Sequence, residues 1–314
     1  MSSCRLGLIG AGRWGKTYIN ALSRLDNVVL GSLCSGNPST RSLVGSDCKI
    51  SGDWKYVLDD TSLDGVIICS PPAFHYEIAR SAINKGLHVL VEKPMTLCTV
   101  DARNLVYMAS QRGLALRVGH IHLFSASFSR LLELVANRGD PIAFTSIAGN
   151  HGPIRTDVNV LWDWSPHDIA MILRLTRQVP TSVYVEVLET QQDLGSNAQT
   201  IKLLLEFSAG SVAAVTLSNI FRQKQRLFEV LFEGEKVVYD DQASFESKLA
   251  IFSSHSGLPT YVDVGKSSDS LESMILEFAK SAITGCHYSA NTFEIDVIET
   301  IARCERSIVS RSRE

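Results

Sequence analysis

The string Gly10-Ala11-Gly12-Arg13-Trp14-Gly15 follows directly on the apolar run Leu6–Ile9 and opens a helical pattern, Gly15–Arg24, with Tyr18, Ile19 and Leu22 on one side. Gly10 permits a tight turn, Gly12 leaves the backbone bare where a pyrophosphate would approach, and Gly15 lets the helix pack close to the sheet. The start of that helix then faces the anion. Glycines at this spacing are weakly informative by themselves. Set between a strand and a helix within a βαβ unit, they point to a bound dinucleotide.

The alternation continues. Val28–Cys34 reads as a second strand, Ser39–Val44 as a helix, and Lys49-Ile50-Ser51 as a short third strand. Gly65–Cys69 is an apolar strand ending in Ser70-Pro71-Pro72, followed by a helix over Phe74–Lys85 that Gly86 ends. His88–Val91 is a strand ending in Glu92-Lys93-Pro94; a helix over Val100–Arg112, stopped by Gly113, leads to the strand Leu114–Val118. Strands alternating with helices predict an α/β fold, an N-terminal Rossmann domain (1–120) with a doubly wound parallel sheet.

From about His120 the texture changes. After a helix near Ser127–Asn137 come longer strand patterns: Ile142–Gly149, Ser182–Glu189, Ile201–Phe207, Ser211–Leu217, Arg226–Glu233 and Lys236–Tyr239. Gly210 and Glu233-Gly234-Glu235 separate neighbouring strands as hairpin turns would. Two helices, Leu271–Ala282 and Phe293–Val309, close the chain. The expectation is an α+β domain over 121–314 with a large, mainly antiparallel open sheet.

At 314 residues the chain suits two domains, and with 30 Lys and Arg against 33 Asp and Glu it has no basic surplus for nucleic acid. No apolar run reaches the roughly 18 residues of a membrane span, and Met1–Arg5 leaves no room for a signal peptide before the first strand. The seven cysteines are scattered, without a Cys-x-x-Cys pair or metal-ligand spacing, and read as reduced thiols of a cytoplasmic protein with no metal.

For the cofactor, the end of the second strand reads Cys34-Ser35-Gly36-Asn37. The carboxylate that would hold the ribose hydroxyls of NAD is missing there, so nothing repels a 2′-phosphate. Arg13 or Arg41 is placed to pair with one. No arginine follows Ser35 directly, so the reading is NAD or NADP with an inclination to NADP.

Gly10–Gly15, Glu92-Lys93-Pro94 and Asp163-Trp164-Ser165-Pro166-His167, in that order, resemble the Gfo/Idh/MocA oxidoreductases (glucose–fructose oxidoreductase, inositol dehydrogenase, nucleotide-sugar dehydrogenases). Ser70-Pro71-Pro72-Ala73-Phe74-His75 is similar to the family's Thr/Ser-Pro-x-x-x-His turn, and the likeness extends to the final helix and Ser307. The resemblance implies that Ser70, Pro71, His75 and Glu92 border the cofactor. It places Lys93 beside the nicotinamide ribose and the reacting hydroxyl, as a fixed charge that favours a developing alkoxide. Glu92 and Pro94 would shape that turn, with a cis peptide at the proline.

Asp163 and His167 match the family's Asp-x-Gly-x-His pair. Locally, Ser165-Pro166-His167-Asp168 reads as a helix start, with Ser165 as N-cap, Pro166 in the first helical position and Asp168 as capping-box acid. His167 would then lie in the first turn, where the helix dipole favours the neutral imidazole that a base needs. Asp163, just before the cap, would orient the ring. Ser165 stands where the family has glycine, and Ala170 where an aspartate is common. Gly119-His120-Ile121-His122-Leu123-Phe124 lacks the arginine often found there.

The segment Gly149–Arg155 and the aromatics Trp162 and Trp164 lead into His167. His151, Arg155, Trp162 and Trp164 together suit a polar ring-shaped substrate, although both tryptophans read equally well as core. Arg155 could instead pair with a phosphate or carboxylate. His75, His120, His122 and His151 are each compatible with an ordinary hydrogen-bonded histidine. The expected activity is hydride transfer between nicotinamide and a secondary hydroxyl or ketone of a sugar, nucleotide sugar or cyclitol, by a homodimer or homotetramer. Two other activities are compatible with the fold: NAD-dependent glycoside cleavage, and dinucleotide sensing without catalysis.

Overall fold

Six strands, β1 (Cys4–Ile9), β2 (Val28–Cys34), β3 (Lys49–Ser51), β4 (Gly65–Ile68), β5 (His88–Val91) and β6 (Leu116–Val118), pair in the order β3-β2-β1-β4-β5-β6. Every pairing is parallel. Leu6, Leu8, Val66, Ile67, Ile68, Val89 and Leu90 are fully buried whichever way they point. Such sheets are covered on both faces, so their strands read as continuous apolar runs. The order reverses between β1 and β4, and ligands bind in the crevice beyond the strand ends at such a point.

The computed structural model describes residues 3–192, 195, 197–265, 269–284 and 292–311. Helices α1 (Arg13–Leu22), α2 (Trp54–Leu58), α3 (His75–Asn84) and α4 (Thr99–Gln111) connect the strands. Tyr18, Ile19 and Leu22 of α1 are buried as the pattern requires. The helix expected over Ser39–Val44 is a six-residue 3-10 turn, Pro38–Leu43, with the Asn37 side chain accepting from the Ser39 amide. The short α2, capped by Asp53, is too brief to leave a periodic signal.

The chain divides into two units, Met1–Ile121 with Asp269–Ile298, and His122–Ser268 with Glu299–Glu314. This differs from the expected split of 1–120 and 121–314 at the C-terminal end, where α7 (Ser270–Thr284) joins the first unit. The reason is packing and charge that local patterning does not carry. A Cβ on Gly65 would lie 3.2 Å from Phe278 of α7; Arg117 pairs with Glu277 at 2.7 Å, and Arg24 with Asp269 at 2.9 Å.

In the second unit, β7 (Ala143–His151), β8 (Ser182–Thr190), β9 (Gln199–Glu206), β10 (Val212–Ser218), β11 (Ile220–Phe232), β12 (Glu235–Asp240), β13 (Leu249–Ser253) and β14 (Thr260–Tyr261) form one sheet. Its order is β14-β13-β12-β11-β7-β10-β9-β8. All pairings are antiparallel except β7 with β10. Gly210 and Gly234 turn the expected hairpins with φ of 85° and 76°. The strands β13 and β14 add to those expected from the sequence. Helices α5 (Ala126–Ala136) and α6 (Val160–Thr176) and the later part of α8 (Thr292–Arg311) complete the unit.

The register separates the two faces of this sheet cleanly. Phe144, Leu203, Leu205, Val215, Leu217, Phe228, Val230 and Val237 share one face and are buried. Thr145, Leu204, Val212 and Leu231 project to the other and are exposed.

The helix expected to start at Ser165 starts at Val160 instead. Asn159 is the cap, its side chain accepting from the Trp162 amide at 3.0 Å. Pro166 therefore stands inside the helix, where a proline forfeits a backbone bond. Burial of Val160, Leu161 and Trp162 ahead of it carries the first turn across that defect.

Candidate active site

Gly10 closes the β1–α1 turn at φ 100°, and a Cβ there would sit 2.7 Å from the Cys69 carbonyl oxygen. A Cβ on Gly15 would run into the Gly10 carbonyl oxygen, so the helix can approach the turn only with glycine there. Gly12, the N-cap of α1, differs: a Cβ on it meets nothing within 4 Å. Its surroundings are an open cradle at a helix start, the shape a pyrophosphate requires. Across the strand reversal, beyond the end of β4, the Ser70 hydroxyl oxygen is buried with no hydrogen-bond partner among the described residues, and Pro71 beside it is exposed. Open cradle and orphaned hydroxyl together fit a dinucleotide.

Trp14 and Glu92 tie this loop to the next turn. Glu92 is 7% exposed. Its Oε1 accepts from the Trp14 indole N–H at 2.5 Å and the Tyr18 hydroxyl at 2.7 Å, and its Oε2 from the Lys93 backbone N–H at 3.1 Å. Burial raises the Glu92 carboxyl above its ordinary range, and the Tyr18, Trp14 and Lys93 contacts pull against that rise. Burial likewise lifts the Tyr18 phenol and the Cys69 thiol well above theirs, with the Glu92 charge adding to both. Lys93 is half-buried, and the Lys93-Pro94 peptide is cis, as expected. His75, at the start of α3, places Nδ1 2.8 Å from the Pro94 carbonyl and Nε2 2.8 Å from the Ser70 carbonyl. It therefore bridges the two loops that the resemblance assigns to the cofactor.

The adenosine end carries a correction. Arg41, expected as a 2′-phosphate partner, spends its guanidinium on the carbonyls of Cys48, at 2.8 Å, and Gly45. Arg13 is exposed at the start of α1. The Ser35 hydroxyl accepts from the Asn37 amide at 3.1 Å and the Thr40 hydroxyl at 2.9 Å. The loop thus holds Ser35 in place at the end of β2.

In the second unit, Asp163 and His167 lie four residues apart and so on one face of α6. Asp163 is in the first turn of the helix rather than ahead of it, and His167 is a turn further along. The dipole fades within the first turn, so the expected influence of a helix start does not reach His167. Asp168 is no capping residue either. It is 1% exposed, accepts from the Ser146 hydroxyl at 2.6 Å and pairs with Arg226 at 3.1 Å, which ties α6 to the sheet.

Arg155 grips Asp157 at 2.9 and 2.5 Å and reaches Asp163 at 3.2 Å. A guanidinium already shared between two carboxylates orients Asp163 better than it recruits a substrate anion. Trp162 is also corrected: it is buried, with its indole N–H donated to Glu305 at 2.8 Å, and offers no face to a ligand. Trp164 remains half-buried, its indole nitrogen without a hydrogen-bond partner. His151 is exposed at the end of β7.

His122, set aside as ordinary in the sequence, packs its ring against that of His167 with centroids 5.0 Å apart and planes at 88°. Nothing local announced it, because 45 residues of chain separate the two. His120, two residues earlier, belongs to the first unit and pairs with Glu294 at 3.2 Å. Cys4, Cys34, Cys48, Cys69, Cys98 and Cys304 are free thiols, and Cys286 lies outside the described residues. Among the described residues no helix is long and apolar enough to cross a membrane.

The family model described as the Gfo/Idh/MocA oxidoreductase family, NAD-binding Rossmann fold, matches residues 4–120. A solved structure from Magnetospirillum magnetotacticum, assigned as an oxidoreductase, is 33% identical, superposes with a TM-score of 0.86, and is covered over 96% of this chain and 100% of its own. The UDP-N-acetylglucosamine 3-dehydrogenase of Acidithiobacillus ferrooxidans is 26% identical over 76% of this chain and 75% of its own length. The myo-inositol 2-dehydrogenase of Thermotoga maritima is 21% identical over 79% of this chain and 82% of its own.

Proposed function

Since the chain belongs to the Gfo/Idh/MocA family of oxidoreductases, we propose that it moves a hydride between nicotinamide and a secondary hydroxyl or ketone of a sugar, nucleotide sugar or cyclitol. The observation that carries this reading is the glycine cradle at the strand reversal, joined through Glu92 to the turn that presents Lys93. Gly10, Gly12 and Gly15 with Arg13 would hold the pyrophosphate, and Ser70 and His75 would border the nicotinamide half. When bound, the nicotinamide supplies the hydride acceptor or donor.

In the oxidative direction His167 takes the hydroxyl proton, Lys93 holds the oxygen as negative charge grows on it, and Asp163, steadied by Arg155, keeps the imidazole oriented. His151 and Trp164 would recognise ring hydroxyls in this reading. The stretch Cys34–Asn37 at the end of β2 carries no carboxylate of its own, although the Asp53 charge reaches Cys34; with Arg13 exposed at the glycine loop, the reading inclines to NADP over NAD. The test is absorbance of NADH or NADPH on mixing enzyme with a panel of sugars, UDP-sugars and inositols. Turnover of a secondary alcohol with either cofactor supports the reading; tight cofactor binding with no turnover across the panel, or glycoside cleavage without net absorbance change, overturns it.

A further inference from the structure

We propose that Glu92 is a positioning residue that links the cofactor loop to the lysine turn, so that a dinucleotide resting against Trp14 fixes where Lys93 stands. The inference rests on the oxidoreductase reading above. One carboxylate serves both sides: Oε1 receives Trp14 and Tyr18 from α1, and Oε2 receives the backbone N–H of Lys93 itself. The carboxylate has no slack. A Cβ on Gly119 would lie 2.6 Å from Oε1 and 2.9 Å from the carboxyl carbon, so the chain just past β6 closes on it with only a glycine's backbone. His75 holds the Pro94 carbonyl from the other side.

The two donors on α1 are unequal in a telling way. Tyr18 is wholly buried, whereas Trp14 is 39% exposed at the mouth of the glycine loop, its ring edge-on to Tyr18 with centroids 6.3 Å apart. Trp14 is thus the member of the cluster that a ligand can reach. A shift of its indole pulls on Oε1, and Oε1 moves rigidly with Oε2. Burying this charge works against the fold, since burial raises the carboxyl pKa and so lowers stability at neutral pH.

Three donors face two oxygens, so Glu92→Gln must set an amide N–H against one of them. The expected result for Glu92→Gln is a fall in kcat of about ten- to hundredfold and a several-fold weaker NADPH Kd by protein fluorescence, with a melting temperature no lower than wild type. Tyr18→Phe carries the decisive comparison, because a fully buried hydroxyl cannot touch the cofactor. It should weaken NADPH binding by roughly three- to tenfold in the wild-type background, and add nothing in the Glu92→Gln background. A control in the same unit, Ile83→Val, lowers the melting temperature without moving Kd. Effects of Tyr18→Phe and Glu92→Gln that multiply independently, or a Kd within twofold of wild type in both, overturn the proposal. The Kd arm needs no turnover, so wild-type inactivity would sink the oxidoreductase reading while leaving this coupling to be judged on binding alone.

Discussion

The imidazole of His167 sits a turn beyond Asp163 on α6 and against the ring of His122. Asp163 in turn is drawn towards Arg155. If His167 accepts the hydroxyl proton, kcat/KM for alcohol oxidation falls as pH drops and the ring becomes charged. His167→Asn should abolish that acid limb and cost on the order of 10²–10⁴ in rate while leaving cofactor affinity unchanged; full activity in this variant would remove the histidine from the chemistry. Gly12→Val is the matching test of the cradle. Its Cβ has open space on the protein side, so the fold should persist while NADPH titration shows binding lost; undiminished binding would refute the cradle. Lys93 and His167 were proposed from the sequence because each sits in a short string whose neighbours single it out. His122, and the ties of Glu92 to residues 78 and 74 positions away, were not, because they exist only once strands and helices are assembled.

Elements follow local pattern until a distant partner intervenes. Asp60, between α2 and β4, shows what such a partner does. Burial alone would raise its carboxyl, but the Ser32 and Ser62 hydroxyls and the Lys49 ammonium outweigh it and hold the group well below the usual carboxylate range. Ser32 of β2, at 2.5 Å, and Lys49 of β3, at 3.1 Å, are thereby joined to the β4 side of the sheet. A depressed folded pKa means stability that is present above the unfolded value of about 3.9 and lost as pH falls through the folded one. Asp60→Asn should therefore cost about 1–3 kcal/mol at pH 7, and its deficit should shrink as pH is lowered below about 4. Equal deficits in urea melts at pH 7 and in strong acid would show that the charge is irrelevant. The same non-local logic explains α6: Ser165-Pro166 has the look of a helix start, yet Ser165 is buried and Asn159 caps the helix nearly two turns earlier. A local string cannot reveal which of two good caps the core will choose.

At the scale of the whole molecule, the second unit leaves a question of coverage. The run of neighbouring strand patterns pointed to a mainly antiparallel sheet, but the parallel seam between β7 and β10 joins segments too far apart for any turn signal to report. Helix α6 and the buried side chains above account for one face of that sheet. The opposite face carries Leu204, Val212 and Leu231, each exposed, with Ala143, Ile147, Ala214 and Leu227 half-covered between them. These apolar groups are interleaved with Thr145, Lys202, Glu229 and Lys236 on the same face, and exposed apolar groups of this kind suit an interaction site. A second copy of the chain is the proposed occupant, since the same patch on two copies meets itself about a twofold axis. Sedimentation at micromolar concentration should then give a multiple of the 34.4 kDa chain. Leu204→Lys with Leu231→Lys should reduce it to the single chain, because two ammonium groups would be buried unpaired at the interface. Turnover need not vanish in that variant, as Lys93, Asp163 and His167 lie elsewhere in the chain. A wild-type protein that sediments only at 34.4 kDa would refute the interface.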